Sequence, residues 1–151
     1  MRHTQPHRSQ HARLLTLLAD LEARLEPSGL GADPTGLAMR TMHLVRWVQV
    51  HHAFERESLF GLLKDRATPA ERRAADRFRA GLDRLDPVLA AHDARWTTAA
   101  AVAAEPRAFA EATMTLVQAL RERIDLEAQH LHPLVESVMA REAAVREYLE
   151  A

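Results

Sequence analysis

Two apolar stripes in this chain carry polar residues at matching places, and that pattern constrains the fold more than any other feature. One stripe reads Leu44, Val48, His51, Glu55, Leu59, Leu62; the other reads Leu116, Leu120, Arg123, Glu127, Leu131, Leu134. Both step 4, 3, 4, 4, 3 along the sequence. Steps of three and four return to one face of an α-helix, so each segment is predicted to be an amphipathic helix. Burying an imidazole, a carboxylate or a guanidinium in such a face is costly unless something pairs with it. The fold must therefore bring partners to the middle of both helices.

Two further helices complete the pattern. Leu14, Leu15, Leu18, Leu21 and Leu25 predict a first helix over 8–26, with His11 near its start and residues 1–7, including His3 and His7, as a flexible tail. The stretch 27–36 reads as a loop, with Asp33-Pro34 capping the second helix over 35–65. Thr68-Pro69-Ala70-Glu71 is a capping box that opens a third helical segment reaching about 104. Gly81 and Asp86-Pro87 interrupt it, so it is expected to kink or to restart near 87. Its stripe is Phe78, Leu82, Leu85, Leu89, His92, Trp96. Glu105-Pro106 opens the fourth helix, which Pro133 should kink or end, with 135–150 continuing as helix. Strand signals are absent. Four long helices with short connections predict an all-α, up-down-up-down four-helix bundle forming a single domain over 8–151.

Composition excludes several functions. A net charge of −1 argues against a general nucleic-acid binder or a basic membrane-surface protein. No run of about 18 apolar residues is present to span a bilayer. The start, MRHTQPHRSQ, is polar and carries no secretory signal, so a cytoplasmic protein is expected. The absence of Cys removes disulfides, thiolate ligands and Cys nucleophiles. Abundant Ala and Arg, with Lys64 the one lysine, fit a GC-rich bacterial coding bias. No Ser/His/Asp triad, phosphate loop or dinucleotide fingerprint is visible, and the chain is not expected to be an enzyme.

A metal ion is the partner that best rewards these polar positions. His51 and Glu55 project from one helix face a turn apart. His11 lies 15 residues before Glu26 and His51 lies 15 residues after Gly36, so an antiparallel hairpin brings them level. His92 reaches a comparable depth if the third helix restarts near Pro87. Imidazoles and carboxylates without thiolate suit iron, manganese or zinc, and bundle cores are where carboxylate-bridged metal sites are built.

On these residues the chain resembles the hemerythrin-like (HHE cation-binding) family. That family's pattern is a His on the first helix, His-x-x-x-Glu on the second, a His on the third, and a second His-x-x-x-Glu on the fourth, followed by Leu-Phe-Pro. Here His11 stands on the first helix, HHAFERESLF supplies His51 and Glu55, LAAHDARW supplies His92, and RIDLEAQHLHP supplies Glu127, Leu131 and Pro133. The resemblance implies a metal site of His11, His51, Glu55, His92 and Glu127. It further implies non-haem iron, usually as a di-iron centre, and a role in dioxygen binding, redox sensing or iron handling.

Arg123 stands where the family has a histidine, and a guanidinium cannot ligate a cation. In the family's geometry the first two helices serve one iron and the last two serve the other. The resemblance therefore leaves the first position complete and the second with His92 alone, so a one-metal or empty site is open. Two orientations of Arg123 remain. It can point inward, pairing with Glu127 and Glu55, or snorkel outward if Ile124 takes the central place. His130, three residues after Glu127, would rescue the site by a Glu-x-x-His spacing. His132, where the family has an aromatic, is expected in an outer position or at the surface. His43 and His52 are expected in solvent or at the rim, and Trp47 and Trp96 in core packing. The alternative to metal binding is a metal-free bundle of the same fold acting as an interaction module. A ferritin-type oxidase would need more carboxylates on the stripes.

Overall fold

Capping chemistry sets where the helices start. In the computed structural model, which describes residues 3–27, 29 and 31–151, Asp33 accepts a hydrogen bond from Gly36 N at 2.9 Å and Pro34 occupies the first turn behind it. Thr68 and Glu71 close the expected capping box, with Pro69 inside it. Met1 and Arg2 of the expected tail, and Ser28 and Leu30 of the expected loop, lie outside the described residues.

The helices are α1 (Gln5–Arg24), α2 (Pro34–Glu55), α3 (Gly61–Arg66), α4 (Pro69–Arg95), α5 (Ala99–Ala104), α6 (Pro106–Leu126) and α7 (His132–Glu150). A π-helical turn, Arg56–Phe60, joins α2 to α3, and a second, Glu127–Leu131, joins α6 to α7. No strand occurs among the described residues. Four long rods result: α1, α2 with α3, α4, and α6 with α7. The first and third each pack on the second and fourth, which closes the bundle.

Two expectations need correction. Helix α1 begins at Gln5, so His7 is core rather than tail, and Thr4 is tied to Glu136 at 2.7 Å. Helix α4 runs unbroken through Gly81 and Pro87. Pro87 lies on the exposed face, where water can meet the carbonyl that a proline leaves unpaired. As expected, the fourth rod continues as helix past Pro133. The preceding turn is widened by a bond from His132 N–H to the Glu127 carbonyl, and such π-turns insert a residue without ending a helix.

The hydrophobic interior falls into two parts. One gathers Leu14, Leu18, Leu44, Val48, Phe109 and Leu120 with their neighbours. The other gathers Leu59, Leu63, Leu82, Leu131, Val135 and Val138. Along α2 and α6 the boundary falls where the stripes turn polar. His7, His11, His51, His52, Glu55, Glu127 and His132 are all buried there.

Phe109 is fully buried and packs edge-on against Trp96 at 5.5 Å. Phe109→Ala is expected to lower unfolding free energy by about 3–5 kcal/mol in chemical denaturation, because the surrounding rods cannot close the cavity.

Candidate metal centre

Three rods converge on Glu127. Its Oε2 lies 2.8 Å from His11 Nε2 and 3.5 Å from His51 Nε2, and the two ring nitrogens are 3.1 Å apart. Helix α1 supplies His11, α2 supplies His51, and the second π-helical turn begins at Glu127. Glu55 Oε2 stands 3.9 Å from His51 Nε2. His51, Glu55 and Glu127 each offer a ligand atom within 4.8 Å of the others. The structure thus brings together four of the five expected ligands.

His92 is not among them. Its Nε2 bonds to Thr113 Oγ1 at 2.9 Å, and its ring lies 6.3 Å from Phe109. Thr113 stands 14 residues before Glu127 on the same rod, about 21 Å along the helix axis. The cause is the continuity of α4: depth counts from Thr68 rather than from a restart at Pro87. At the centre's level α4 offers Phe78, Gly81 and Leu82.

Arg123 fills that side, pointing inward. Its Nε donates to Glu127 Oε1, its Nη1 donates to the Phe78 carbonyl at 2.7 Å, and its Nη2 lies 3.8 Å from Glu55 Oε2. A Cβ added to Gly81 would stand 2.7 Å from Arg123 Nη1. Glycine at position 81 therefore gives the guanidinium its place against α4. The same guanidinium borders an open groove of about 680 Å³ between α4 and α6.

Two histidines missed as ligand candidates complete the layer. His132 and His11 stack with centroids 4.9 Å apart, and His11, Glu127 and His132 form a second group whose ligand atoms lie within 4.8 Å of one another. His7 stacks on Phe54 at 4.6 Å. A regular period of 3.6 places residue 132 well off the face of Glu127, but the π-helical turn inserts a residue and returns it. His130, at the spacing expected to rescue the site, is exposed. His52 is buried rather than at the rim, bonded to Asp86 at 2.6 Å; His43 is exposed as expected.

The layer's electrostatics differ residue by residue. Burial favours the neutral form of Glu127, but the bond from His11 and the charge of Arg123 outweigh it and hold the carboxyl well below its usual range. Burial and the neighbouring Glu127 charge push Glu55 up to about 9. Burial, reinforced by the other histidines, lowers His7 and His132 to about 4.

The donor set fits a cation. Both Glu55 oxygens, both His132 ring nitrogens and His7 Nδ1 are buried and find no hydrogen-bond partner among the described residues. Native cores leave few such groups unmet. His51 is already set for coordination: its Nδ1–H donates to Gln10 Oε1 at 2.7 Å, which leaves the Nε2 lone pair at the centre. Beside His51 and Glu127 is a cavity of about 10 Å³ walled by Leu14, Leu18, Val48 and Ile124, about the least that admits one water. No helix among the described residues is long and apolar enough to cross a membrane.

The family model for the hemerythrin HHE cation-binding domain matches residues 7–135. No curated protein and no solved structure matches the chain.

Acid should destabilise the metal-free fold. His7 and His132 have folded-state values near 4 against an ordinary 6.5, so between those values the unfolded chain binds protons that the folded chain does not. The histidines' share of the stability is present in full above about pH 6.5 and is lost as pH falls toward 4, at up to about 1.4 kcal/mol per pH unit for each; Glu55, raised to about 9, opposes one of them because its share is lost as pH rises above 4.5. Urea denaturation across that range in the presence of a chelator checks the slope.

Proposed function

The chain belongs to the hemerythrin HHE cation-binding domain family, and from that premise we propose that it is a non-haem iron protein with a one-metal centre, acting in dioxygen or redox sensing rather than in catalysis. The ligands are His11, His51 and Glu127, with Glu55 alongside. The observation that carries this reading is the triangle of His11 Nε2, His51 Nε2 and Glu127 Oε2, with edges of 2.8, 3.1 and 3.5 Å. Donors held about 2.0–2.2 Å from one cation lie about 3 Å from each other. Two imidazoles and one carboxylate on a single face are the ligand set of iron(II) centres that keep positions open.

When bound, such a metal supplies a site for dioxygen or a change of oxidation state. The chain's own residues do the remaining work. Gln10 fixes the tautomer of His51. Leu14, Leu18, Val48 and Ile124 keep the adjoining cavity apolar. Arg123 places a permanent positive charge against Glu127 and Glu55, where the family's pattern would put a second metal's histidine. A guanidinium in that place repels a second cation and anchors the shared carboxylate.

One observation favours the alternative of a metal-free interaction module: Arg123 and Glu127 balance each other's charge within the layer. That pairing leaves both Glu55 oxygens buried without a hydrogen bond among the described residues, and the metal-bound reading accounts for them.

Metal analysis of protein produced with added iron decides between the two. The expected outcome is about one equivalent per chain, with a melting temperature that falls on chelation. Metal content near zero, with melting indifferent to iron, would support the module. Arg123→His is expected to raise metal content above that of the parent chain; equal content in both would contradict the role given to Arg123.

A further inference from the structure

His7 and His132 stand outside the triangle, yet both are fully enclosed, at 1% and 0% exposure. An imidazole has an N–H and a lone pair, or two N–H groups, to satisfy. Both nitrogens of His132 and Nδ1 of His7 find no hydrogen-bond partner among the described residues. An apolar ring of similar shape would occupy either place without that cost. Histidine there is explained by something that binds imidazole nitrogen.

Geometry indicates what that is. One nitrogen of His132 belongs with His11 and Glu127 in a group of ligand atoms within 4.8 Å of each other. The rings of His7, His51, His11 and His132 form a closed circuit, with successive centroids 6.0, 4.8, 4.9 and 6.1 Å apart. His7 is held in one tautomer. Its Nε2–H donates to Ser58 Oγ at 2.8 Å, and that hydroxyl donates to the Phe54 carbonyl at 2.6 Å. Nδ1 of His7 is left as a lone pair that can accept. Arg123 closes the centre on the side of α4, whereas His132 and His7 stand on the side of α1.

We propose that His132 is a third imidazole ligand of the cation centre, and that His7 is its positioning residue, accepting the N–H on the far side of the His132 ring. No His7–His132 hydrogen bond is present in the metal-free structure; Gln10 already holds His51 in the corresponding way at 2.7 Å, a recurring arrangement for metal-bound histidine. The inference rests on the His11–His51–Glu127 reading and extends it. The ligand set becomes three imidazoles and a carboxylate, and one position open in the triangle is taken from the side opposite Arg123.

Pulsed EPR of the Cu(II)-loaded protein counts coordinated imidazoles, and Co(II) titration gives affinity. The parent chain is expected to show three imidazoles and His132→Phe two. Co(II) should bind His132→Phe about tenfold more weakly or worse, and His7→Phe should keep three imidazoles with weaker binding. Metal-free His132→Phe should melt no lower than the parent, because it removes two unmet nitrogens. Two imidazoles in the parent chain, or equal affinity in the parent and His132→Phe, would overturn the inference and leave the triangle standing. A parent chain that binds neither metal would overturn both. If His132→Phe fails to fold, the parent count and the affinity of His7→Phe decide.

Discussion

The carboxylate of Glu127 is the point on which the bundle's interior depends. One oxygen accepts from Arg123 of its own rod, and the other meets His11 of α1 and His51 of α2. A fully buried carboxylate held ionised in this way fixes the relative depth of three helices, since an apolar contact tolerates sliding and a hydrogen-bonded charge does not. The two hydrophobic clusters on either side contribute burial. The polar layer between them sets register.

Arg123 gives this layer its departure from the family's pattern, and Gly81 makes the departure sterically possible. The guanidinium reaches the Phe78 carbonyl past Gly81, where an added Cβ would stand 2.7 Å from Nη1 and make it shift. A permanent cation on one side and neutral imidazoles on the other make the layer asymmetric. The two π-helical turns add to that asymmetry. The first follows the layer carboxylate Glu55 and the second begins at the layer carboxylate Glu127, and only the second brings a histidine inward.

Much of the fold was legible in the sequence, because it rests on local chemistry. The Asp33 and Thr68 caps, the paired stripes and the four-rod bundle follow from periodicity and capping. Of the centre, His11, His51, Glu55 and Glu127 were legible because they repeat the apolar period. His92 misled because depth was counted from a proline that the helix absorbs on its exposed face. His7 was read as tail because the start signal before residue 8, Thr4 at the N-cap with Pro6 in the first turn, was passed over in favour of the leucine stripe. His132 was out of reach because a π-helical turn breaks the 3.6 period on which residue faces are counted. The orientation of Arg123 was open for a related reason: Ile124 and Arg123 both fit the stripe, and only contact with α4 separates them. A signal was present in Pro133, whose tolerance within a helix requires some local irregularity just before it.

Anomalous diffraction from iron-loaded crystals tests the central claim most directly. A single iron peak within bonding distance of His11 Nε2, His51 Nε2 and Glu127 is the result this account predicts. A peak on the α4 side in place of the Arg123 guanidinium, or no peak within the layer, would contradict it.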